Sequence, residues 1–119
     1  QIAAAYGLLH CQDEIERMKA SYQARRDLIC GLLDTVPGVS IRKPKGAFYV
    51  FVNAKELTHA AGMTSRELCM DLLQKTGVVT VPGSGFGACG EGYIRMTYAT
   101  SEENITHGVE RIREYARRF

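Results

Sequence analysis

The sequence predicts a two-layer α/β domain of the α+β kind, a mostly antiparallel sheet with helices packed on one face. Segments with apolar residues at helical spacing alternate with short runs rich in β-branched and aromatic residues. In chain order they read helix, two strands, helix, two strands, helix, an order that folds most simply as two layers. The second face of the sheet is then left open, available to a ligand or to another body of protein.

The first long helix is expected from Asp13 to about Thr35, where Ile15, Met18, Tyr22, Ile29, Leu32 and Leu33 recur at helical spacing. Before it, QIAAAYGLL has the composition of a helix but no capping residue, so the chain reads as opening within an element, as a fragment does. Val36-Pro37-Gly38 ends the long helix. Val39–Ile41 and the run AFYVFV at 47–52 are expected strands that can pair as a hairpin across the turn at Arg42–Gly46. Residues 53–62 read as an irregular or short helical connector. Thr64 and Glu67 form the pattern of a capping box, in which each side chain satisfies the other's free backbone donor. The helix behind it carries Leu68, Cys69, Leu72 and Leu73 on one face and closes at Gly77. VVTV at 78–81 is the next expected strand, followed by PGSGFGACGEG, which holds five glycines in eleven residues. In the strand 92–99, Ile94, Met96 and Tyr98 share one face, and Tyr93, Arg95 and Thr97 the other. Thr100 and Glu103 suggest a second capping box, and the last helix sets Ile105, Val109, Ile112 and Ala116 on one side.

One domain of 119 residues with 45% hydrophobic content can bury a core of its own. Its net charge of +2 sets up no field able to gather a polyanion, so nucleic acid is not expected as a partner. No apolar run reaches the length of a membrane helix, and the opening residues lack the pattern of a secretory signal. The expected setting is cytoplasmic, without membrane contact. Cys11, Cys30, Cys69 and Cys89 are widely spaced and expected to be free thiols, with no metal-ligand pattern around them. His10, His59 and His107 are scattered and read as surface or helix-end residues.

Arg95 is the residue that most invites a chemical reading. Its charge is costly to bury without a partner. If the Ile94 face packs on helices, Arg95 points to the open face, where its planar fork suits bidentate capture of a carboxylate or phosphate. An arginine simply facing solvent fits the spacing as well. The glycine-rich loop around Ser84 and Phe86 lacks the pattern and the following helix of a phosphate-binding loop, so it is either a structural turn or a ligand-lining loop. Gly46 permits close backbone approach at a strand start, with Phe48 and Tyr49 on opposite faces and at least one of the two expected in the core. No nucleophile and base come together; Ser84 is not in a GxSxG elbow.

Taken together, KPKGAFYVFVN at 43–53, GVVTVPGSGFGACGEGYIRMTYATSEENI at 77–105 and the closing amphipathic helix resemble a known family. They are similar to the carboxy-terminal small domain of fold-type I, class I/II, pyridoxal-phosphate-dependent aminotransferases of the aspartate or aromatic type. The resemblance spans residues 1–119, with residues 1–12 as the tail of the interdomain region and the large cofactor-binding domain absent. It implies that Arg95 binds the substrate α-carboxylate, that Gly46, Ala47 and Phe48 line the substrate entrance, and that Ser84 and Phe86 line the site as part of a loop. It implies no catalytic, cofactor-binding or metal-binding residue in this chain. The implied parent is a homodimer using pyridoxal 5'-phosphate to move an amino group between an amino acid and a 2-oxo acid. The chain by itself, without its own large domain, is expected to hold no cofactor tightly and to be inactive. A free-standing small-molecule-binding or regulatory module is the competing reading.

Overall fold

The threonine hydroxyl and the glutamate carboxylate of the capping-box motif meet as the sequence predicts. In a computed structural model describing residues 1–119, Thr64 Oγ1 accepts from the Glu67 amide, and the Glu67 carboxylate accepts from the Thr64 amide at 2.8 Å. That pair opens one of five α-helices: α1 (Ile2–His10), α2 (Gln12–Leu33), α3 (Lys55–Ala61), α4 (Ser65–Thr76) and α5 (Glu102–Ala116). The strands are β1 (Ser40–Ile41), β2 (Tyr49–Asn53), β3 (Val81–Pro82) and β4 (Tyr93–Thr97). They form one antiparallel sheet in the order β1-β2-β4-β3. The expected hairpin is present, with Ser40 opposite Asn53 and Ile41 opposite Val52.

Alternation along the two central strands separates core from open face. Val50 and Val52 of β2 and Ile94 and Met96 of β4 are buried. They pack against Ile29 and Leu33 of α2, Leu68 and Leu72 of α4, and Ile105, Val109 and Ile112 of α5. Each of these side chains contributes about 1.5–3 kcal/mol by leaving water. Tyr49, Phe51, Tyr93, Arg95 and Thr97 point the other way and none is buried. Helices α2, α4 and α5 pack on that one face, as predicted, and α1 buries no residue.

Several expectations are corrected. Only the carboxy-terminal half of α2 holds buried residues, Ile29, Cys30 and Leu33, whereas Ile15 and Met18 remain 40% and 54% exposed. Periodicity marks a face that can be buried without saying that a partner is there. VVTV is not a strand throughout. Pairing with β4 begins at Val81, and Val79 is 75% exposed. The last helix is capped by Ser101, whose Oγ accepts from the Asn104 amide, so Thr100 and Glu103 form no capping box. Ser101 is one residue nearer the helix and takes the N-cap conformation. Neither Phe48 nor Tyr49 is in the core; Phe48 is 41% exposed and Tyr49 half-buried, since β2 starts only at Tyr49 and sends that side chain to the open face. The glycine-rich loop folds as two short 3-10 turns, Gly83–Phe86 and Ala88–Gly90. All four cysteines are unpaired, and the three histidines are exposed. No helix is long and apolar enough to cross a membrane, and no cluster of His, Cys, Asp and Glu could hold a metal ion.

Candidate functional site

β4 is an inner strand, held by β2 on one side and β3 on the other, so its backbone is fixed along its length. Arg95 sits at its centre, opposite Phe51 and Val81. The parity that buries Ile94 and Met96 turns Arg95 onto the open face. There its guanidinium carbon lies 4.3 Å from the centre of the Tyr49 ring and 4.6 Å from that of Phe86. Each cation–ring contact is worth roughly 0.5–2 kcal/mol, depending on how much water is excluded. Arg95 belongs to none of the chain's ion pairs. A guanidinium supported by rings and free of carboxylates keeps its donors available for an anion from outside.

The rings form a continuous aromatic floor. Phe51 stacks on Tyr93 at 5.1 Å and meets Phe86 edge-on at 6.1 Å, while Lys55 Nζ lies 5.2 Å from the Tyr93 ring centre. A depression of about 550 Å³ beside Phe51 and Tyr93 is lined by Arg42, Lys43, Pro44 and Lys45, with no carboxylate among its walls. This face therefore favours an anionic, planar guest over a cationic one.

The turn Gly46-Ala47-Phe48 stands at one end of β2. Ala47 is the one non-glycine residue of the chain with a left-handed backbone, φ 61°. Such a conformation costs an alanine about 1–2 kcal/mol and persists only where neighbours hold it. Here the holders come from the end of the arginine strand. Tyr98 Oη donates to the Ala47 carbonyl at 2.8 Å, the Tyr98 amide donates to the Phe48 carbonyl at 3.0 Å, and Thr97 Oγ1 donates to the same oxygen at 3.2 Å. Burial pushes the Tyr98 hydroxyl above its ordinary pKa, so it stays a donor. Between this turn and α2 lies a cleft of about 320 Å³, lined by Gly46, Ala47, Phe48, Tyr22, Arg26 and Tyr98 among others.

The residues singled out from the sequence thus fall into two groups. Arg95 and Phe86 are in contact. Gly46, Ala47 and Phe48 line the separate cleft and connect to the arginine through Tyr49, whose ring is 4.6 Å from Phe48. Ser84 is hydrogen-bonded to α4. Its Oγ lies 3.2 Å from Ser65 Oγ, and Ser65 is held in turn by Glu91, whose carboxylate accepts from the Ser65 amide at 2.7 Å and from its hydroxyl at 3.0 Å. Hydrogen bonds from the Ser65 amide and hydroxyl hold the Glu91 carboxyl below the usual glutamate range. Tyr49, Phe51, Tyr93, Tyr98 and Glu91 went unremarked as site residues in the sequence. For the first three the signal was available, since they share Arg95's parity once β2 and β4 are paired; the last two act through contacts distant in sequence.

Known proteins share this chain's sequence pattern and fold. The family model for aminotransferase class I and II matches residues 1–112. Aspartate aminotransferase of Pyrococcus horikoshii is 43% identical over 98 residues, covering 82% of this chain and 24% of the relative. Among solved structures, an aromatic aminotransferase from Pyrococcus horikoshii superposes with a TM-score of 0.80 at 36% identity, over 89% of this chain and 27% of that one. The aspartate aminotransferase of Rhizobium meliloti gives a TM-score of 0.88 at 34% identity, over 98% of this chain and 30% of that one. The chain spans roughly a quarter to a third of the length of the relatives it matches.

Proposed function

Because the chain belongs to the aminotransferase class I and II family, we propose that it is the small domain of an enzyme that moves an amino group between an amino acid and a 2-oxo acid. In this reading Arg95 grips the α-carboxylate that both substrates share. The observation that carries it is the placement of Arg95: an inner strand, the open sheet face, two supporting rings and no ion-pair partner. Two parallel N–H···O bonds to a carboxylate give orientation as well as affinity. Gly46, Ala47 and Phe48 border the entrance, and the Phe86 loop covers the carboxylate end.

The amino group and the reacting carbon are handled elsewhere. Pyridoxal 5'-phosphate supplies the carbonyl chemistry in such enzymes, and this chain's own residues do not fit it. All five lysines, Lys19, Lys43, Lys45, Lys55 and Lys75, are exposed, so none offers the desolvated amine a covalent cofactor link needs. The cofactor site, the catalytic lysine and the contacts of a homodimer are assigned to a large domain outside these residues, and the chain alone is inactive. Exposure of Ile2, Leu8 and Leu9 at 90%, 79% and 76%, together with the open sheet face, supports a covering body of protein there. Aspartate and aromatic amino acids are the substrate candidates.

The test uses the protein of natural length, assayed for amino transfer from aspartate and from phenylalanine to 2-oxoglutarate. Arg95→Lys keeps the charge and loses the fork; at about 2 kcal/mol for a charge-assisted hydrogen bond, KM for amino acid and 2-oxo acid rises about thirtyfold. Wild-type KM values in that variant would remove Arg95 from the carboxylate site.

A further inference from the structure

We infer that Phe86 and Glu91 are positioning residues for the Arg95 carboxylate grip: Phe86 packs on the guanidinium, and Glu91, through Ser65 and Ser84, fixes the turn that carries Phe86. The inference rests on the reading of Arg95 as the carboxylate anchor.

An arginine side chain is long and flexible, and here no carboxylate of the chain restrains it. Its orientation is left to the rings it touches, and Tyr49 and Phe86 contribute unequally to that task. Tyr49 sits on β2 and is as fixed as the sheet. Phe86 belongs to a loop and is 54% exposed, so it plays no part in the core; its ring meets Arg95 and Phe51. A loop aromatic can hold a guanidinium only if the loop itself is fixed, and two devices fix this one. Gly83 and Gly90 lie so close that neither has room for a Cβ, which locks the two 3-10 turns against each other. The chain Glu91–Ser65–Ser84 ties the first turn to the amino terminus of α4, with Ser65 wholly buried. Glu91 therefore acts at a distance from Arg95, through the backbone position of Phe86.

The experiment uses the protein of natural length, with 2-oxoglutarate and its amino-acid co-substrate as probes. Phe86→Leu removes the ring and is expected to raise KM for both substrates about tenfold while kcat stays within twofold. Phe86→Tyr, which restores a ring, returns KM to near the wild-type value. Glu91→Ala, which loosens the turn without removing the ring, raises KM about threefold. In the unsubstituted protein the Arg95 Nε–H proton is shifted upfield by the adjacent rings, a readout that needs no variant to fold. Wild-type KM values in Phe86→Leu, in a protein where Arg95→Lys raises them, would overturn the positioning role and leave the carboxylate assignment standing. An Arg95 Nε–H resonance no different from that of an exposed arginine would overturn it directly. An Arg95→Lys protein with unchanged KM would take down both readings together.

Discussion

Replacing Gly83 by alanine separates steric locking of the glycine-rich loop from mere flexibility. Gly83 is buried and does not have a left-handed backbone, so the cost of adding a methyl group is a matter of space. The new Cβ would lie 2.7 Å from Tyr93 Cβ and 2.8 Å from the Tyr93 carbonyl oxygen, and closer still to the carbonyl oxygen of Gly90. Unstrained carbon contacts lie at about 3.5–4.0 Å, so a separation of about 1 Å must be opened. None of the three obstructing atoms is the end of a flexible side chain, so β4 or the loop backbone has to move. Overpacking of this kind costs about 3 kcal/mol. Gly85, two residues on, is the internal control: a Cβ there meets nothing within 4 Å, and its substitution should stay within about 0.5 kcal/mol. Urea unfolding reads both. With a slope of about 1.5 kcal/mol/M, Gly83→Ala lowers the midpoint by about 2 M and Gly85→Ala leaves it within about 0.3 M. Midpoints for the two variants within 0.5 M of each other, on the order of a quarter of the predicted gap, would refute the account of a sterically locked loop.

Two further outcomes are expected. Tyr98→Phe removes the donor to the Ala47 carbonyl while keeping the buried ring; it should cost about 1 kcal/mol in urea unfolding and speed amide exchange at the Phe48 end of β2. An unchanged exchange rate would show that the left-handed turn does not depend on this bond. Glu91 carries a pH signature. Its carboxyl has a folded-state pKa lowered first by the Ser65 amide and then by the Ser65 hydroxyl, so the stability it contributes is complete above the unfolded value of about 4.3. That contribution is lost as pH falls through the folded value. The urea midpoints of the wild-type chain and of Glu91→Gln should therefore differ most above the unfolded value and converge only as pH falls through the lowered folded value. A gap that widens on acidification would contradict the assignment.

Much of this domain was written in local patterns. The order of elements, the capping box at Thr64 and Glu67, the apolar stripe of α5 and the parity that puts Arg95 opposite to Ile94 all follow from neighbours a few residues apart. Backbone hydrogen bonding and alternation of side chains operate at that range, so the sequence by itself determined them. What decided the site lies in contacts across the chain. Tyr49 and Phe86 reach Arg95 from forty-six and nine residues away, by position in the sequence, and only the strand order β1-β2-β4-β3 brings the first beside it. The left-handed backbone of Ala47 is imposed by Tyr98, and the tie from Glu91 to Ser65 spans two elements. The same holds for the exposed half of α2. A periodic apolar stripe records that a helix has a face to bury, and tertiary structure alone records whether anything in the chain buries it.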